Sequence, residues 1–457
     1  MSQTARKFLF SNKSLTIADE NEIVNILSET TFPFGPENVS SDRQCYPFPG
    51  PLWSQQEDQI NWTDSIDLCE TILHGPHRDF DEAVRKAKVW TIPFTHSDES
   101  ISQLLSDCNQ FHRSVSFAKP QASKAETEFP LAYVLVGARN AAQTARFFRH
   151  IYQPQNAYCI TYDNKSTENY KSSIQKLAQC FSGRNVYLTP EPEDIYYGHY
   201  SILHSVMACL KVLLDKWPSI GWKYVQVTSW NDFPLKTNRE MVEIFRIFNG
   251  SQDSALIDIT PEFFTFSHWH KQYELAHIPR KVVPNGLTMY KGSFATSMSK
   301  EFIEFIFRNQ ISQDLYKWLN ATWCPEEQYW QTIIHNPHLG APGSFPGQCI
   351  YFYKKKATKP FVSRYQIWSW DGKDKCKGKI VSLSCVFGVA DVPVLIRRPE
   401  LMAHKVYEEF EPATTFCLDY WFWNRTCHSA YEINETYYKN FPSVRYQKIA
   451  NKNDFVC

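Results

Sequence analysis

Apolar and polar positions follow two regular patterns in the middle of this chain. Between residues 126 and 254, apolar runs of strand length alternate with stretches in which apolar residues recur every three or four positions, as on one helix face. This succession is typical of a mostly parallel sheet that helices cover on both faces. The predicted strands are Leu131–Val136, Ala157–Thr161, Asn185–Leu188 and Tyr224–Val227, and the predicted helices span 141–152, 169–181, 200–217 and 239–248.

After Ser254 the pattern becomes mixed, and before residue 126 it is mostly irregular. The N-terminal stretch TTFPFGPENVSSDRQCYPFPGPLW is rich in turn-forming residues, and one helical pattern follows around DEAVRKAKVW. We therefore predict an α/β fold with an irregular N-terminal region at 1–125, a large α/β domain at 126–420 and a C-terminal tail at 421–457. Further strands are predicted at 255–260 and 287–298, and further helices at 300–309 and 326–335.

Charge and composition exclude some classes of function. The 457 residues include 48 basic and 48 acidic side chains, so the net charge favours neither nucleic acid nor a membrane surface as a partner. Aromatic residues make up 15% of the chain, enough for ring-lined sites that hold nucleosides or sugars. No apolar run is long enough for a signal peptide or a transmembrane helix, so membrane attachment is expected only through a segment outside this sequence.

Cysteines and glycosylation triplets point to the secretory pathway. The chain has 13 cysteines and eight Asn-x-Ser/Thr acceptor sites. Each triplet alone is weak evidence, because such triplets also occur in cytosolic proteins. Together the two counts predict a disulfide-bonded, N-glycosylated protein. The acceptor asparagines are Asn12, Asn38, Asn61, Asn164, Asn249, Asn320, Asn424 and Asn434.

Common catalytic signatures are absent from the sequence. It has no glycine-rich phosphate loop, no HExxH, no G-x-S-x-G and no C-x-x-C. The only Asp-x-Asp lies at 79–81, where a solvated helix face explains it. Two acidic residues instead follow predicted strands, Asp163 in YCITYD and Asp232 in SWNDFPLKT. Nucleotides bind at the carboxyl edge of parallel sheets, although Asp163 also fits the start of a turn.

The segment TWCPEEQYW, residues 322–330, places two adjacent carboxylates behind a proline. Proline suits the first turn of a helix, and acidic side chains are stabilised there by the helix dipole. On this interpretation Glu326 and Glu327 only cap a helix. The rest of the chain decides between that structural role and a catalytic one.

Five blocks of the sequence resemble, in order, the landmark blocks of one family. They are IYQPQNAYCITYD, WNDFPLKTN, GSFATSMSKEF, CPEEQYWQTIIH…PGSFP and CKGKIVSLSCVFGVADVPVLIRRPELMAHK. From about Cys69 to Cys417 the chain resembles the core-2/I-branching β-1,6-N-acetylglucosaminyltransferases, glycosyltransferase family 14. The resemblance implies a GT-A-like α/β fold and a location in the Golgi. It also implies metal-free transfer of a sugar, with inversion, from a UDP-sugar to a 6-hydroxyl of a glycan.

The resemblance places the general base on Glu327, the last carboxylate of the family's Ser-Pro-Asp-Glu pattern. Cys324 stands in place of that serine and Glu326 in place of the aspartate. One carboxylate suffices, because UDP is a good leaving group while the attacking hydroxyl must lose a proton. Glu326 is then expected to keep the helix-capping role.

For the donor, the resemblance implies uridine contacts from Val136 and Asp163 and a ring contact from Tyr197. Without a metal the diphosphate needs fixed cations, and the family's lysine falls on Lys405. The family's arginine position holds Ser382 instead, so donor binding is weakened unless another cation compensates. The candidates are Lys379, Arg397 and Arg398, of which we assign Arg397 to the donor site.

Acceptor residues transfer less well from the family. Its lysine and arginine before a tryptophan correspond to Thr265 and His268, before Trp269, so a different acceptor is expected. Another family tryptophan falls on Arg364 or Tyr365, depending on a gap. The acceptor-binding candidates are therefore Trp269, Arg364 and Tyr365.

The resemblance also implies the disulfide pairing of eight cysteines. The implied bonds are Cys69–Cys417, Cys108–Cys180, Cys159–Cys209 and Cys376–Cys385. Five cysteines remain, and this odd number leaves at least one thiol free or intermolecular. They are Cys45, Cys324, Cys349, Cys427 and Cys457.

Two classes of function compete. The leading hypothesis is an inverting glycosyltransferase without cofactor or metal, which moves N-acetylglucosamine from a UDP-sugar to an O-glycan or glycoprotein acceptor and forms a β-1,6 branch. The alternative is a catalytically weak, glycan-binding relative, motivated by Ser382 and the altered acceptor segment. The intact Pro-Glu-Glu block argues against it. A third possibility is the transfer of another sugar, such as glucose or xylose. The family's xylosyltransferases have a larger C-terminal region, however, for which there is no room after Cys417.

Overall fold

The chain forms a six-stranded sheet with helices on both faces and a smaller group of strands beside it. The computed structural model describes residues 62–75, 77–91, 96–115, 122–181, 185–257, 282–347, 361–372, 374–427 and 432–457. In these ranges the strands are β1 Leu131–Gly137, β2 Ala157–Tyr162, β3 Val186–Leu188, β4 Tyr224–Ser229, β5 Asp232–Pro234, β6 Asp253–Ser254, β7 Thr296–Ser299, β8 Tyr365–Gln366, β9 Lys379–Val381, β10 Ser384–Val386 and β11 Met402–His404.

The six-stranded sheet has the strand order β3-β2-β1-β4-β7-β6. Strand β1 lies parallel to both neighbours, with Val136 opposite Thr161 of β2 and Ser229 of β4. Strand β3 is parallel to β2, whereas β7 pairs antiparallel with β4 and β6. The carboxyl ends of β1, β2 and β4 therefore share one edge. This mixed, mostly parallel sheet confirms the predicted GT-A-like α/β class.

The helices predicted between residues 141 and 248 are all present, with nearly the predicted ends. Side-chain caps set where two of them begin: Thr167 caps the helix Glu168–Cys180, and Thr237 forms a capping box with Glu240 at the start of the helix Asn238–Phe248. The described helices are α1 Thr63–His74, α2 His77–Lys88, α3 Asp98–Leu104, α4 Cys108–Val115, α5 Lys124–Thr127, α6 Ala141–Ile151, α7 Glu168–Cys180, α8 Tyr200–Asp215, α9 Trp217–Ile220, α10 Asn238–Phe248, α11 Lys300–Arg308, α12 Gln310–Trp318, α13 Tyr329–Ile334, α14 Val392–Leu395, α15 Pro412–Cys427, α16 Glu435–Lys439 and α17 Pro442–Lys448.

Alternate residues of β1 belong to two different cores. Leu131, Tyr133 and Leu135 pack on one face of the sheet with α6, α7 and α10, while Ala132 and Val134 pack on the other with α8, α11 and α13. Successive strand side chains point to opposite faces, so β1 is buried on both. This is why its sequence is a continuous apolar run rather than an alternating one.

A third core joins the N-terminal helices to the small three-stranded sheet, in which β11 lies between β5 and β8. Leu73 of α1 and Ala87 of α2 pack with Phe233 of β5, Ala403 of β11 and Phe416 of α15. The N-terminal helices are thus part of the same folded unit as the C-terminal strands that they contact.

All four implied disulfides are present in the structure. They are Cys69–Cys417, Cys108–Cys180, Cys159–Cys209 and Cys376–Cys385. Cys427 and Cys457 are also disulfide-bonded. Among the described cysteines, Cys324 is free, and it is buried. Cys45 and Cys349 lie outside the described residues.

The structure corrects the description of both ends of the chain. Within the predicted irregular region 1–125, the described part forms α1 to α5, because short amphipathic segments between turn-rich stretches still bury apolar faces. The predicted tail 421–457 is not a tail in its described part, since Tyr438, Phe441 and Val444 pack into the core beside β1. The domain boundaries themselves stay predictions.

Two elements near the predicted base are shorter than expected. The strand predicted at 287–298 is regular only in β7, and Lys291 makes a single isolated bridge with Ile257. The helix predicted at 326–335 begins only at Tyr329, after a 3-10 turn. The predicted strand 255–260 is described only as far as residue 257.

Candidate active site

The carboxyl edge of the parallel sheet carries the two residues expected at the uridine. Val136 is the second-last residue of β1, and Asp163 directly follows β2. Oδ1 of Asp163 accepts hydrogen bonds from the backbone N–H groups of Lys165 and Ile195, at 3.0 and 3.1 Å, and from Nζ of Lys165 at 2.8 Å. Asp163 therefore does start a turn. Its contact with a nucleoside stays a prediction.

Tyr197 lies in a segment that touches the predicted base turn. Its side chain is 72% exposed, and its ring meets the ring of Trp323 edge-on at 5.7 Å. The next residue, Gly198, has a positive φ, and a Cβ there would lie 2.6 Å from Trp323. The backbone N–H of Cys324 donates to the carbonyl of Gly198 at 2.9 Å. The predicted donor side and the base turn are thus packed directly against each other.

Glu327 ends the 3-10 turn Pro325–Glu327, which precedes α13. Cys324 leads into the turn in the left-handed conformation, with φ 49°. The backbone N–H of Glu327 donates to the carbonyl of Cys324 at 3.1 Å. Pro325 and Glu326 are buried, whereas Glu327 is partly exposed. The turn therefore buries the side chain of Glu326 and leaves that of Glu327 partly exposed to solvent.

Glu326 does not cap the helix, contrary to the sequence prediction. Helix α13 has no acidic residue in its first turn, because the 3-10 turn separates it from Glu326. Glu326 is 4% exposed, its Oε2 has no hydrogen-bond partner among the described residues, and burial raises its pKa to about 7. The adjacent glutamates therefore differ in chemistry: Glu326 holds a proton readily, and Glu327 faces outward.

Lys291 lies beside this turn. Nζ of Lys291 forms an ion pair with Oε2 of Glu327. The Sγ atom of Cys324 and carboxylate oxygens of Glu326 and Glu327 lie within 4.8 Å of one another, a grouping that can attract a metal ion. The Lys291 ammonium already supplies positive charge there, and burial raises the pKa of Cys324 to about 12, which disfavours the thiolate that metals bind. We therefore do not assign these residues as metal ligands.

Asp232 belongs to a buried network at the same sheet edge. It accepts hydrogen bonds from the backbone N–H of Ser229 at 2.8 Å, from Nη2 of Arg364 at 2.9 Å and from Nδ1 of His404 at 2.7 Å. Burial alone would raise the pKa of Asp232, but Arg364 and His404 lower it below its usual value. Burial, reinforced by Arg364, lowers the pKa of His404 to about 4, so this histidine is neutral at pH 7. The negative charge of Asp232 is therefore already balanced by the positive charge of Arg364.

Two cations meet beside this network. Lys405 directly follows β11, and Arg139 lies two residues after β1. Both face the ring of Tyr407, with 5.9 Å from Nζ of Lys405 and 5.5 Å from Cζ of Arg139 to the ring centroid. Burial, and then the charge of Arg139, lower the pKa of Lys405. Among the described residues, Lys405 forms no ion pair. Arg139 forms one there, with Glu409, at 4.0 Å. Like charges that converge this way form a suitable place for an anion.

Ser382, the departure from the family pattern, lies at the exposed tip of the β9–β10 hairpin, with φ 49°. The suggested substitute cations have other neighbours. Arg397 acts electrostatically on His74 of α1, Arg398 donates to both carboxylate oxygens of Glu400 at 2.9 and 2.6 Å, and Nζ of Lys379 lies 4.2 Å from the ring centroid of Phe410. The cation beside Lys405 is Arg139, which was not among the residues predicted from the sequence.

The structure describes two of the three acceptor candidates, Arg364 and Tyr365. Arg364 is buried with Asp232, as described above. Tyr365 stacks on Phe387 at 5.7 Å and has the guanidinium of Arg398 4.1 Å from its ring centroid. Trp269, with Thr265 and His268, lies outside the described residues. Roles in acceptor binding stay predictions, and the buried ion pair of Arg364 argues against its own.

The acceptor asparagines of the glycosylation triplets are mostly accessible where the structure describes them. Asn164, Asn249, Asn320 and Asn434 are exposed, and Asn424 is half-buried. Asn12, Asn38 and Asn61 lie outside the described residues. None of the described helices is both long enough and apolar enough to span a membrane.

Comparison with known proteins gives the family. The profile of the Core-2/I-Branching enzyme family matches residues 131–394. The N-acetyllactosaminide beta-1,6-N-acetylglucosaminyl-transferase of Mus musculus is 31% identical over 386 residues, which cover 80% of this chain and 87% of that protein. The beta-1,3-galactosyl-O-glycosyl-glycoprotein beta-1,6-N-acetylglucosaminyltransferase 4 of Danio rerio is 29% identical over 80% of this chain and 85% of its own length. This chain therefore belongs to the Core-2/I-branching family of glycosyltransferases, enzymes that use a sugar donor and a glycan acceptor.

Proposed function

We propose that this enzyme transfers N-acetylglucosamine from UDP-N-acetylglucosamine to a 6-hydroxyl of an O-glycan, with inversion and without a metal ion, and so forms a β-1,6 branch. The relatives from mouse and zebrafish are β-1,6-N-acetylglucosaminyltransferases by name, which supports the sugar and the linkage. One observation carries the proposal. Lys405 and Arg139 converge on Tyr407 at the carboxyl edge of the sheet, beside an Asp232 that Arg364 already neutralises.

The donor would lie along this edge. The uridine contacts Val136 and Asp163, with Tyr197 beside it, and the diphosphate lies against Lys405 and Arg139. The two cations lie close enough for Arg139 to lower the pKa of Lys405, after the larger effect of burial. A diphosphate between them relieves that repulsion and forms charge-assisted hydrogen bonds. Arg139 thereby takes over the charge that Ser382 does not provide.

The chemistry requires one base and a stabilised leaving group. The O6–H bond of the acceptor breaks and its proton passes to the carboxylate of Glu327, while O6 bonds to C1 of the donor sugar. The bond between C1 and the diphosphate oxygen breaks from the opposite face, which inverts the configuration. The electron pair leaves with UDP, whose charge Lys405 and Arg139 stabilise. No acid is needed on the leaving group.

Charges that are already in place support metal independence. A divalent cation at the diphosphate needs free carboxylate ligands, but Asp232 accepts hydrogen bonds from Arg364 and His404. The Asp-x-Asp at 79–81 lies at the start of α2, in the N-terminal part of the chain. Fixed side-chain cations therefore do the work that a metal does in other such folds.

We also propose that the enzyme acts in the Golgi. Exposed glycosylation triplets and the four disulfides fit a lumenal protein. The acceptor class is a glycoprotein of the secretory pathway.

The test is an assay of purified protein with UDP-N-acetylglucosamine, UDP-glucose and UDP-xylose, against β-1,3-galactosyl O-glycan and N-acetyllactosamine acceptors. Mass spectrometry identifies the transferred sugar, and NMR identifies the linkage. We expect β-1,6-linked N-acetylglucosamine, with activity retained in excess EDTA. Transfer only of glucose or xylose contradicts the donor, and loss on chelation that Mn²⁺ restores contradicts the metal-free mechanism. Glycan binding without transfer favours the catalytically weak alternative.

A further inference from the structure

We propose that Lys291 is a positioning residue for the general base: its ammonium holds Oε2 of Glu327 and keeps the carboxylate ionised, which leaves Oε1 for the acceptor hydroxyl. The inference rests on the proposed function, in which Glu327 is the base. Lys291 belongs to no sequence block that pointed to the family. The fold alone brings it to Glu327, 36 positions further along the chain.

The ion pair is shielded from water. The side chains of Lys291 and Glu327 are 12% and 22% exposed, so the pair is screened less than a surface salt bridge. Among the described residues, hydrogen bonds to this carboxylate reach only Oε2. The partial exposure of Glu327 therefore leaves Oε1 as the oxygen for substrate.

The backbone holds Lys291 in place as well. The N–H of Ile257 donates to the carbonyl of Lys291 at 2.8 Å, and the N–H of Gly292 donates to the carbonyl of Glu327 at 2.8 Å. Gly292 must lack a side chain, since a Cβ there would lie 1.8 Å from the carbonyl oxygen of Ala255. Lysine and base are thus joined by main chain and side chain together, which limits how far either can shift.

Two further titratable groups face the ammonium, Cys324 and Glu326. Burial lowers the pKa of Lys291, and these two neighbours oppose that effect. Because burial raises the pKa of Glu326 to about 7, part of the Glu326 population is ionised at neutral pH and repels charge on Glu327. Within the described chain, Lys291 is the cation that offsets this repulsion.

The role of Lys291 differs from that of an acid or base. In the transfer step the acceptor proton binds Oε1 of Glu327, and Lys291 keeps its own protons throughout. Its charge makes Glu327 a weaker base, but the charge also prevents premature protonation and stops the carboxylate from rotating. Holding a reacting group within about 1 Å of its productive place accounts for as much as about 10²-fold in rate.

The experiment compares Lys291→Met, Lys291→Arg and the matched control Lys300→Met. Lys300 forms a similarly shielded pair with Glu304, 2.9 Å long and with exposures of 13% and 27%, on a helix outside the site. The pH dependence of kcat, the affinity for UDP and the thermal unfolding temperature are measured for each. A second, activity-independent readout follows the ¹³C-glutamate infrared carboxyl band that disappears in Glu327→Gln.

We expect Lys291→Met to lower kcat by roughly 10- to 100-fold and to move the acid limb of the profile upward by about 1–3 pH units, since an adjacent cation favours the ionised carboxylate by that much. Lys291→Arg restores the acid limb, UDP affinity stays unchanged, and Lys300→Met shifts neither limb. An unshifted profile and an unshifted infrared titration in Lys291→Met overturn the inference. If the wild-type protein transfers no sugar, the proposed function fails, and the infrared titration still decides whether Lys291 keeps Glu327 ionised. If Glu327→Gln stays active, Glu327 is not the base, and both the assignment of the base and the role of Lys291 as its positioning residue are overturned.

Discussion

The two halves of the site carry opposite charge balances. At the sheet edge, Lys405 and Arg139 add positive charge beside an Asp232–Arg364 pair that is already neutral. At the base turn, the carboxyl groups of Glu326 and Glu327 face the ammonium of Lys291. The first arrangement attracts an anion such as a diphosphate, and the second retains a proton acceptor. A transferase that activates a hydroxyl while expelling a nucleoside diphosphate needs both.

The two halves also differ in how they are built. The edge is formed where three parallel strands end, so its position follows from the sheet. The base lies on a 3-10 turn that begins with the left-handed Cys324 and depends on contacts with Gly198 and Gly292. We therefore expect substitutions at the edge to change binding or stability, and substitution of Glu327 on the turn to change turnover.

Removing the proton acceptor should have the largest effect. Glu327→Gln keeps the shape of the side chain but loses the base, so kcat should fall by about 10²–10⁴-fold while UDP affinity is unchanged. Turnover and calorimetric titration with UDP measure both. Glu326→Gln is the matched control at the neighbouring position and should keep most of the activity. Reversal of the two results would show that the base is Glu326.

The Asp232 network tests whether the edge is structural as well as functional. Asp232→Asn leaves the buried Arg364 without its counter-charge, so the protein should lose about 3–5 kcal/mol of stability. Because the pKa of Asp232 is lowered in the folded state, its contribution is present above the unfolded pKa and is lost as pH falls through the folded one. Chemical denaturation between pH 3 and 7 measures this. A variant as stable as wild type would contradict the network.

Glu326 predicts the opposite pH dependence at the base turn. Burial raises its pKa from 4.5 to about 7, so its folded form favours the proton and wild-type stability falls as pH rises through that window. Glu326→Gln does not titrate, and its stability relative to wild type should increase on the order of 3 kcal/mol from pH 4.5 to pH 8. Denaturant midpoints at several pH values measure the difference. A constant difference would mean that Glu326 is already ionised in the folded protein.

The cation pair gives the smallest expected effect and the sharpest contrast. Arg139→Ala removes one charge-assisted hydrogen bond to the diphosphate, about 1.5–3 kcal/mol, and should weaken UDP binding by roughly 10- to 100-fold. Arg397→Ala, at the cation predicted from the sequence, should bind UDP as wild type does. Titration at low and moderate salt measures both. Equal losses in the two variants would return Arg397 to the donor site.

The central strands were predictable because β1, β2 and β4 are buried on both faces and are therefore mostly apolar. Helices α6, α7, α8 and α10 were predictable because their apolar residues recur with helical spacing. Of the short helices α1 to α5, α2 was predicted from the helical pattern around DEAVRKAKVW. The others were not, since their apolar positions are few and adjoin turn-rich segments.

The site was only partly readable from the sequence. The position of Glu327 came from a resemblance between blocks, not from its local pattern, which favours a helix cap. Arg139 carried a usable signal, since it is a cation just past the carboxyl end of a predicted central strand. Lys291 carried none, because only the completed fold brings it to Glu327. The burial of Glu326 could not be predicted from the sequence either, since acidic residues that follow a proline usually face water.

The Cys69–Cys417 bridge joins residues 348 positions apart, so it can form only after almost the whole chain has been synthesised. The first thiol emerges from the ribosome long before its partner, so α1 stays covalently untethered while most of the chain is made. A chain that stops before residue 417 cannot close the bond. Oxidation of Cys69 with its proper partner therefore marks a polypeptide that already contains Arg139, Lys291, Glu327 and Lys405, and a reduced Cys69 marks one whose synthesis or folding is incomplete.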